Sequence, residues 1–416
     1  MRLQRDVYWN GVARNNKNNL VKYGAFRDNF KGGFMISSQV RQYCAAATAI
    51  FLLGTAHGQT PGVMADTLVL GRILPFTGVL APEAKIYAEG QNIYFDRINK
   101  AGGINGRKIL VKDYDDAYAA DNAGAAATTA LTKDQVLLLI GGLGTANGLT
   151  IAAVAEQNKT ALIGTTTGAV AFREPTRRYI FPIRPSASDE VSRMVTVGTK
   201  IGWETYAAVY QDDAFGKDAL SGLQAGTARE KSTVIATVPV NRAATEYSAA
   251  VATAVASKAS VVIVFLPPVP ATKFIRALKE SNFTGSVATL SINGIPAVIK
   301  GIGDKSRGLA LPRVLPRPND KSNPLAADVM KVMKEGGNIE PTAGHFEVFV
   351  TACIVVEALK RGGRNINREA IVTAMESLGE YDMGGFRVTY GPNLVRLGNQ
   401  NNIELQVVGK GGGFVY

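Results

Sequence analysis

Three short loops rich in Gly and hydroxyl side chains contain the groups best suited to bind an anion. They lie at residues 75–78 (PFTG), 141–148 (GGLGTANG) and 164–168 (GTTTG). Glycine lets a ligand approach the backbone N–H groups closely, and Thr hydroxyls supply further donors. Such loops can hold a carboxylate by N–H and O–H donation. Ordinary turn chemistry without any ligand is the alternative interpretation.

The spacing Gly142-x-Gly144-x-x-x-Gly148 also invites comparison with a dinucleotide-binding loop. It differs from the Rossmann fingerprint, it does not follow the first strand of its unit, and no acid ends the next strand to hold a ribose. We therefore predict that no nucleotide, and no other cofactor, binds here.

Residues suited to catalysis are scarce. Beyond residue 58 the chain has one Cys, Cys353, and one His, His345, too few for an internal disulfide or a Cys/His zinc site. His345 lies in an apolar segment, where core packing is its expected role. The adjacent acids at 115–116 and 212–213 are typical of turns and helix caps. An enzyme on an α/β scaffold is thus the weaker alternative, and we predict no catalytic residue and no metal.

The composition is that of a soluble globular protein longer than one ordinary domain. The chain has 416 residues, of which 46% are hydrophobic and 19% charged. The formal net charge is +12, but residues 1–58 contribute half of it, with eight Lys or Arg against two acids. The remainder has no basic cluster with interleaved aromatic residues, so we expect no nucleic-acid partner.

Residues 1–58 predict export. Residues 1–34 are polar and lack hydrophobic periodicity, so we interpret them as a gene-model extension before a start at Met35. Residues 35–58 have the order of a signal peptide: Arg41, an apolar run at 44–54, and small residues before Gln59. The run is shorter than the about 20 residues that span a bilayer. Cys44 stands at the start of the run, whereas a lipoprotein cysteine would follow it. A membrane anchor or a buried helix is the alternative.

Apolar strands alternate with amphipathic helices from residue 66 onward. One run of this alternation ends before Pro185, and a second extends from residue 189 to residue 290. Wholly apolar segments such as VLLLI (136–140) and VVIVFL (261–266) are typical of strands covered by helices on both faces. The pattern predicts an α/β fold of two doubly wound, Rossmann-like lobes. In such sheets ligands bind beyond the carboxyl ends of the strands, where the three loops lie.

The later part of the chain returns to helices. A Pro-rich stretch at 311–318 marks a boundary between lobes, and helices are predicted at 324–335, 342–360 and 368–377. The helix at 342–360 is apolar on nearly all sides, which predicts burial, and Glu347 and Glu357 argue against a membrane span. We expect an N-terminal lobe of residues 66–184 plus 312–386 and a C-terminal lobe of residues 185–311 plus 387–416.

Residues 66–416 resemble, in order, the type I periplasmic binding proteins of the branched-chain amino acid (Leu/Ile/Val-binding) ABC transporter family. The matching segments are GRILPFTG, FDRINKAGGINGRKI, KDYDDAY, LLIGGLGTANG, IGTTTGAVAFREP, YIFPIRPSASDE and VYQDDAFGKDAL. The resemblance implies two lobes joined by three crossovers, near residues 181–185, 311–313 and 386–390, that close over a ligand like a Venus flytrap. It implies a periplasmic protein that delivers its ligand to an ABC permease in the inner membrane. We expect it to be a monomer.

The resemblance also implies which residues touch the ligand. In amino-acid binders the loops matching 145–147 and 165–167 grip the α-carboxylate, and an aromatic residue of the second lobe covers the ligand. The expected contacts are Phe76, Thr77, Thr145, Ala146, Asn147, Thr165, Thr166, Thr167, Phe215, Pro268 and Asn293.

Two positions depart from the family pattern. Amino-acid binders have an acid in the loop matching residues 291–294, where this chain has the neutral Asn293, and a Thr where it has Gly168. A buried ammonium without a carboxylate partner costs about several kcal/mol. A carboxylate with an apolar or aromatic body therefore fits better, with an amino acid as the alternative. A sensor that presents its ligand to a membrane receptor fits the same residues.

The leader interpretation makes a direct prediction. The mature protein should begin near Gln59, because the small residues at 56–58 follow the apolar run. N-terminal sequencing of periplasmic material should find this end. Recovery from the cytosol of an intact chain that begins at Met1 would contradict it.

Overall fold

The computed structural model describes residues 60–294, 296–317, 320–393, 395–399 and 403–415. The predicted gene-model extension and signal peptide lie outside the described residues. Within these ranges, no helix is long and apolar enough to cross a membrane.

The first sheet has five parallel strands in the order β2-β1-β3-β4-β5. They are β1 (Thr67–Leu74), β2 (Lys108–Asp115), β3 (Leu139–Gly141), β4 (Leu162–Ile163) and β5 (Ile180–Phe181). The helices between them are α1 (Ala81–Lys100), α2 (Ala120–Thr128), which continues as a π-helical turn at Thr129–Lys133, and α3 (Thr145–Gln157). Because the strands are parallel, the loops that follow β1, β3 and β4 meet at one edge of the sheet.

The second sheet has seven strands in the order β15-β14-β10-β9-β8-β6-β7. Its strands are β6 (Thr205–Gln211), β7 (Thr233–Val240), β8 (Val261–Phe265), β9 (Ser286–Thr289), β10 (Leu309–Arg313), β14 (Glu404–Val408) and β15 (Phe414–Val415). Its helices are α4 (Ala187–Lys200), α5 (Ala214–Glu230), α6 (Ser248–Ala256), α7 (Pro268–Glu280) and α8 (Pro296–Ile302). Strand β14 pairs antiparallel with β10, and β15 pairs antiparallel with β14.

Both sheets are covered on both faces, which explains their apolar strands. In β1, Leu68 and Leu70 belong to one core cluster while Val69 and Ile73 belong to the cluster on the other face. In β8, Val262 and Val264 belong to one core cluster, and Val261, Ile263 and Phe265 belong to the cluster on the other face. Side chains of a strand point alternately to opposite faces, so a strand between two helix layers must be apolar throughout. The predicted fold of two Rossmann-like α/β lobes is confirmed.

The chain returns to the first lobe after β10. Helices α9 (Pro324–Gly337), α10 (Ala343–Arg361) and α11 (Arg368–Glu376) contribute to the core cluster of β1. A small antiparallel sheet follows, formed by β11 (Gly379–Asp382), β12 (Arg387–Gly391) and β13 (Val395–Gly398). Helix α10 is buried along most of its length.

The sequence predicts the third crossover near residues 386–390, but in the structure it comes later in the chain. Val388 and Tyr390 of β12 are buried in the first-lobe core, and the Tyr390 hydroxyl donates to the Pro182 carbonyl oxygen at 2.9 Å. The chain enters the second sheet only at β14, after Gly398. Local strand pairing holds β11, β12 and β13 together, and the buried side chains of β12 pack on the first lobe.

A buried ion cluster lies where the chain first crosses between the lobes. Arg184 donates from Nη1 to Glu347 Oε2 of α10 at 2.8 Å, and its Nη2 lies 3.5 Å from Glu190 Oε1 of α4. Glu190 also accepts from the Ser291 backbone N–H at 2.9 Å and from the Ser291 hydroxyl at 2.8 Å. Burial raises the pKa of Glu190, although Arg184 and Ser291 act in the opposite direction. We call Arg184, Glu190 and Glu347 the hinge triad; it joins the two lobes at the crossover.

Removing the guanidinium should leave two buried carboxyls without a counter-charge. We expect Arg184→Met to lower the free energy of unfolding by about 3–5 kcal/mol at neutral pH, measured by urea titration. Without Arg184, the burial that raises the folded-state pKa of Glu190 is no longer opposed by the guanidinium. Protonation of Glu190 then favours the folded state, so the deficit should shrink as the pH falls toward the unfolded value of about 4.3.

The control is Arg276→Met, because Arg276 pairs with Glu280 on an exposed helix face. It should change the free energy of unfolding by less than about 1 kcal/mol. Equal effects of the two substitutions would contradict the structural role of the hinge triad.

Candidate functional site

An inner cavity of about 70 Å³ lies between the lobes and has walls from both. Most of its lining is apolar. The apolar residues are Leu80, Ile86, Leu143, Ala187, Phe215, Pro267, Pro268, Leu290 and Ile292. The polar side chains lie on the first-lobe side and at the hinge triad: Glu83, Tyr87, Tyr118, Thr166, Thr167, Arg184, Glu190 and Thr342.

The first-lobe wall contains the start of helix α3 and the loop at 164–168, which we call the hydroxyl loop. Helix α3 begins after Gly144, and no side chain caps its first N–H groups. The helix N-terminus and its free N–H groups favour an anion. Gly144 has φ 90° and packs against Tyr118, such that a Cβ would lie 2.7 Å from the ring. Only glycine allows this approach, which keeps the helix end close to the cavity.

Thr166 and Thr167 of the hydroxyl loop line the cavity. The Thr167 hydroxyl lies 2.7 Å from the Thr145 hydroxyl and accepts from the Ala169 backbone N–H at 3.3 Å. If Thr145 donates to Thr167, the Thr167 proton is free to point toward a ligand. Thr166 donates to the Gly142 carbonyl oxygen at 3.3 Å, which ties the hydroxyl loop to the loop before α3.

Gly168 lines the cavity where the family pattern has Thr, and the structure explains the difference. A Cβ at Gly168 would lie 2.6 Å from the Pro185 carbonyl oxygen and 2.8 Å from the Ala187 nitrogen. The Ala187 N–H also donates to the Gly168 carbonyl oxygen at 2.7 Å. The hydroxyl loop therefore packs directly on the first crossover and leaves no room for a side chain.

The structure brings four of the predicted contacts together in the cavity wall: Thr166, Thr167, Phe215 and Pro268. Four others do not line the cavity but follow or precede lining residues in the chain: Thr145, Ala146 and Asn147 after Gly144, and Thr165 before Thr166. Phe76 and Thr77 do not line the cavity, and the Thr77 hydroxyl donates to Asp115 Oδ2 at 2.7 Å in an exposed turn.

Asn293 lies outside the cavity. It is completely buried, and its side-chain amide donates to the Leu266 carbonyl oxygen at 3.0 Å and to the Thr289 hydroxyl at 2.7 Å. These bonds hold Asn293 between the ends of strands β8 and β9. Its neighbours Leu290 and Ile292 line the cavity instead.

Sequence reasoning missed the contribution of helix α1. Leu80 precedes this helix, and Glu83, Ile86 and Tyr87 lie on its first two turns; all four line the cavity. Burial raises the pKa of Glu83 and that of the Tyr87 hydroxyl. The signal that could have found them is position, because α1 begins directly after the first of the three loops.

The lobes also meet through an arginine, which we call the interlobe latch. Arg242, in the loop after β7, lies 3.1 Å from Asp213 of its own lobe. Its Nη2 donates to the Tyr118 carbonyl oxygen at 2.7 Å and to Asn147 Oδ1 at 3.2 Å, and its guanidinium stacks 3.8 Å from the centre of the Tyr118 ring. Near the latch, the Val170 N–H donates to Asp218 Oδ1 of the second lobe at 3.1 Å. These bonds require the lobes to be closed.

A much larger outer groove of about 1770 Å³ adjoins the inner cavity. The two share Tyr87, Arg184, Ile292, Thr342 and Gly344. The groove runs past the crossovers and opens to solvent. The inner cavity is enclosed by opposing walls, which favours it as the site for a small ligand. The groove is then the route by which the ligand enters. Among the described residues, no cluster of acids, His or Cys could hold a metal ion.

Comparison with known proteins agrees with this architecture. The family of periplasmic binding proteins matches residues 67–407. A substrate-binding periplasmic protein from Ralstonia solanacearum is 27% identical, with a TM-score of 0.78 over 83% of this chain and 99% of that one. A possible leucine/isoleucine/valine-binding protein from Rhodopirellula baltica SH 1 is 22% identical, with a TM-score of 0.77 over 85% and 97%.

A third structure of the same fold is an ABC transporter solute binding protein from R. palustris in complex with benzoate. It is 18% identical, with a TM-score of 0.72 over 84% of this chain and 95% of that one. The fold is that of the type I periplasmic binding proteins, and the chain belongs to the periplasmic binding protein family.

Proposed function

We propose that this protein captures a small carboxylate with an apolar or aromatic body by lobe closure and delivers it to an ABC permease in the inner membrane. The observation that carries the proposal is the inner cavity itself, an apolar space between two lobes with an uncapped helix N-terminus and the Thr167 hydroxyl in one wall.

The carboxylate end of the ligand belongs at the first-lobe wall. The first N–H groups of α3 carry no side-chain cap, and Thr167 lies beside them with its hydroxyl in contact with Thr145. Hydrogen bonds to an ionised group are worth about 1.5–3 kcal/mol each, so a few of them hold a carboxylate firmly without a cation. Arg184 adds a buried Nε that has no acceptor among the described residues.

The body of the ligand belongs among the apolar side chains of both lobes. Phe215, Leu290 and Ile292 from the second lobe face Leu80, Ile86 and Leu143 from the first. Each apolar Å² removed from water contributes about 25 cal/mol. Because both lobes contribute to this surface, the ligand gains all of it only when the lobes close. Ligand binding and closure are therefore the same event.

Loss of one hydroxyl tests the carboxylate end. A thermal-shift screen of aliphatic and aromatic carboxylic acids, benzoate included, should identify a ligand. For that ligand, Thr167→Val should raise the dissociation constant about tenfold to a hundredfold in calorimetry, because the substitution keeps the shape and removes a donor.

The matched control is Thr150→Val on helix α3. The Thr150 hydroxyl donates to the Ala146 carbonyl oxygen, and Thr150 does not line the cavity. The control should bind like the parent. If Thr167→Val also binds a carboxylate like the parent, the carboxylate end lies elsewhere.

The interlobe latch should stabilise the closed form with ligand bound. Arg242→Ala removes two hydrogen bonds and a stacking contact between the lobes, so we expect the affinity for the same ligand to fall at least about tenfold. Small-angle scattering at equal, subsaturating ligand should then show a larger radius of gyration than for the parent.

Arg229→Ala serves as the control, since Arg229 bonds to Ser192, Thr196 and Glu230, which all belong to its own lobe. It should leave affinity and scattering unchanged. A latch variant with parental affinity would show that closure does not depend on Arg242.

A further inference from the structure

Helix α1 places in the cavity wall one carboxylate oxygen that no group of the described residues satisfies. Glu83 lies in the first turn of α1 beside Ile86 and Tyr87, and it lines the inner cavity. Its Oε2 atom is enclosed and has no hydrogen-bond partner among the described residues. An enclosed carboxylate oxygen without a donor is costly, so an acceptor in this position is typical of a group that a ligand satisfies.

The other acidic groups near the cavity are already occupied. Glu190 lines the cavity but accepts from Arg184 and twice from Ser291. Glu347, at the edge of the outer groove, accepts from Arg184. In the described part of the chain, Glu83 is therefore the carboxylate of the inner cavity that is left for a ligand.

Asn293, at the position where amino-acid binders have an acid, cannot take the place of Glu83 as an acceptor for the ligand. Asn293 is neutral, and its amide is fixed to Leu266 and Thr289 behind the cavity wall. The second-lobe loop at 291–294 therefore offers no carboxylate that could accept a hydrogen bond from the ligand. The first-lobe helix α1 supplies one instead.

We propose that Glu83 determines the specificity of this site by accepting a hydrogen bond from an N–H or O–H group of the ligand. The inference rests on the proposed function, because it concerns the same cavity. The ligand then has two polar ends, a carboxylate at the start of α3 and a donor group at Glu83, with the apolar body between the lobes. Burial raises the pKa of Glu83, and a donor on the ligand lowers it again by stabilising the ionised form.

The test uses acids that share a carbon skeleton and differ in one donor group. One series is isocaproate, its α-hydroxy derivative and leucine; the other is hydrocinnamate, phenyllactate and phenylalanine. Calorimetry on the full mature chain should show that a hydroxyl or amino derivative binds at least about tenfold tighter than the parent acid of its series. The two derivatives distinguish an O–H donor from an ammonium.

Glu83→Met should abolish this preference while it keeps or improves the affinity for the simple acid. Glu83→Gln keeps the shape and an acceptor, so it should retain the hydroxy acid better than the amino acid. Asp96→Asn is the matched control, because it removes a carboxylate from an exposed position of the same helix. It should leave every affinity unchanged.

The outcomes separate this inference from the proposed function. The role of Glu83 is refuted if the simple acids bind as tightly as their derivatives, or if the preference survives in Glu83→Met. Either outcome leaves the carboxylate site intact. If no member of either series binds, the proposed function fails and the role of Glu83 fails with it.

Discussion

Arg184 stands at the first crossover with its guanidinium between two buried carboxyls, one from each lobe. A charge in this position cannot be left unpaired without a large cost, so Glu347 of α10 and Glu190 of α4 must stay within reach of it. This requirement fixes the relative position of the two lobes at the hinge. It also places Tyr87, Ser291 and the hydroxyl loop around one small space.

The same constraint explains why the cavity is poor in free polar groups. Both acids of the hinge triad and most of the guanidinium are used within the protein, and Asn293 is bonded to the backbone of its own lobe. What remains for a ligand is an apolar surface with a few unsatisfied groups at its ends. Specificity in such a site depends on single atoms, because each unpaired buried donor or acceptor penalises every ligand that cannot match it.

The sequence predicts the sheets well and the cavity wall incompletely. Apolar runs such as Val261–Phe265 identify buried strands, and parallel topology brings the loops that contain Thr166 and Thr167 to one edge. Helix periodicity identifies the buried face of α1, but it does not show that the first two turns of this helix line a cavity against the second lobe. Glu83 and Tyr87 were therefore not predicted as cavity residues. Strand pairing in β11 to β13 is local, and only packing shows that Tyr390 belongs to the first lobe.

A crystal structure of the protein with its ligand bound tests the central claim most directly. The account predicts density in the inner cavity, with the carboxylate beside Thr167 and the first N–H groups of α3, and the body of the ligand against Phe215. A ligand that lies in the outer groove, or whose carboxylate points to the second lobe, would contradict it.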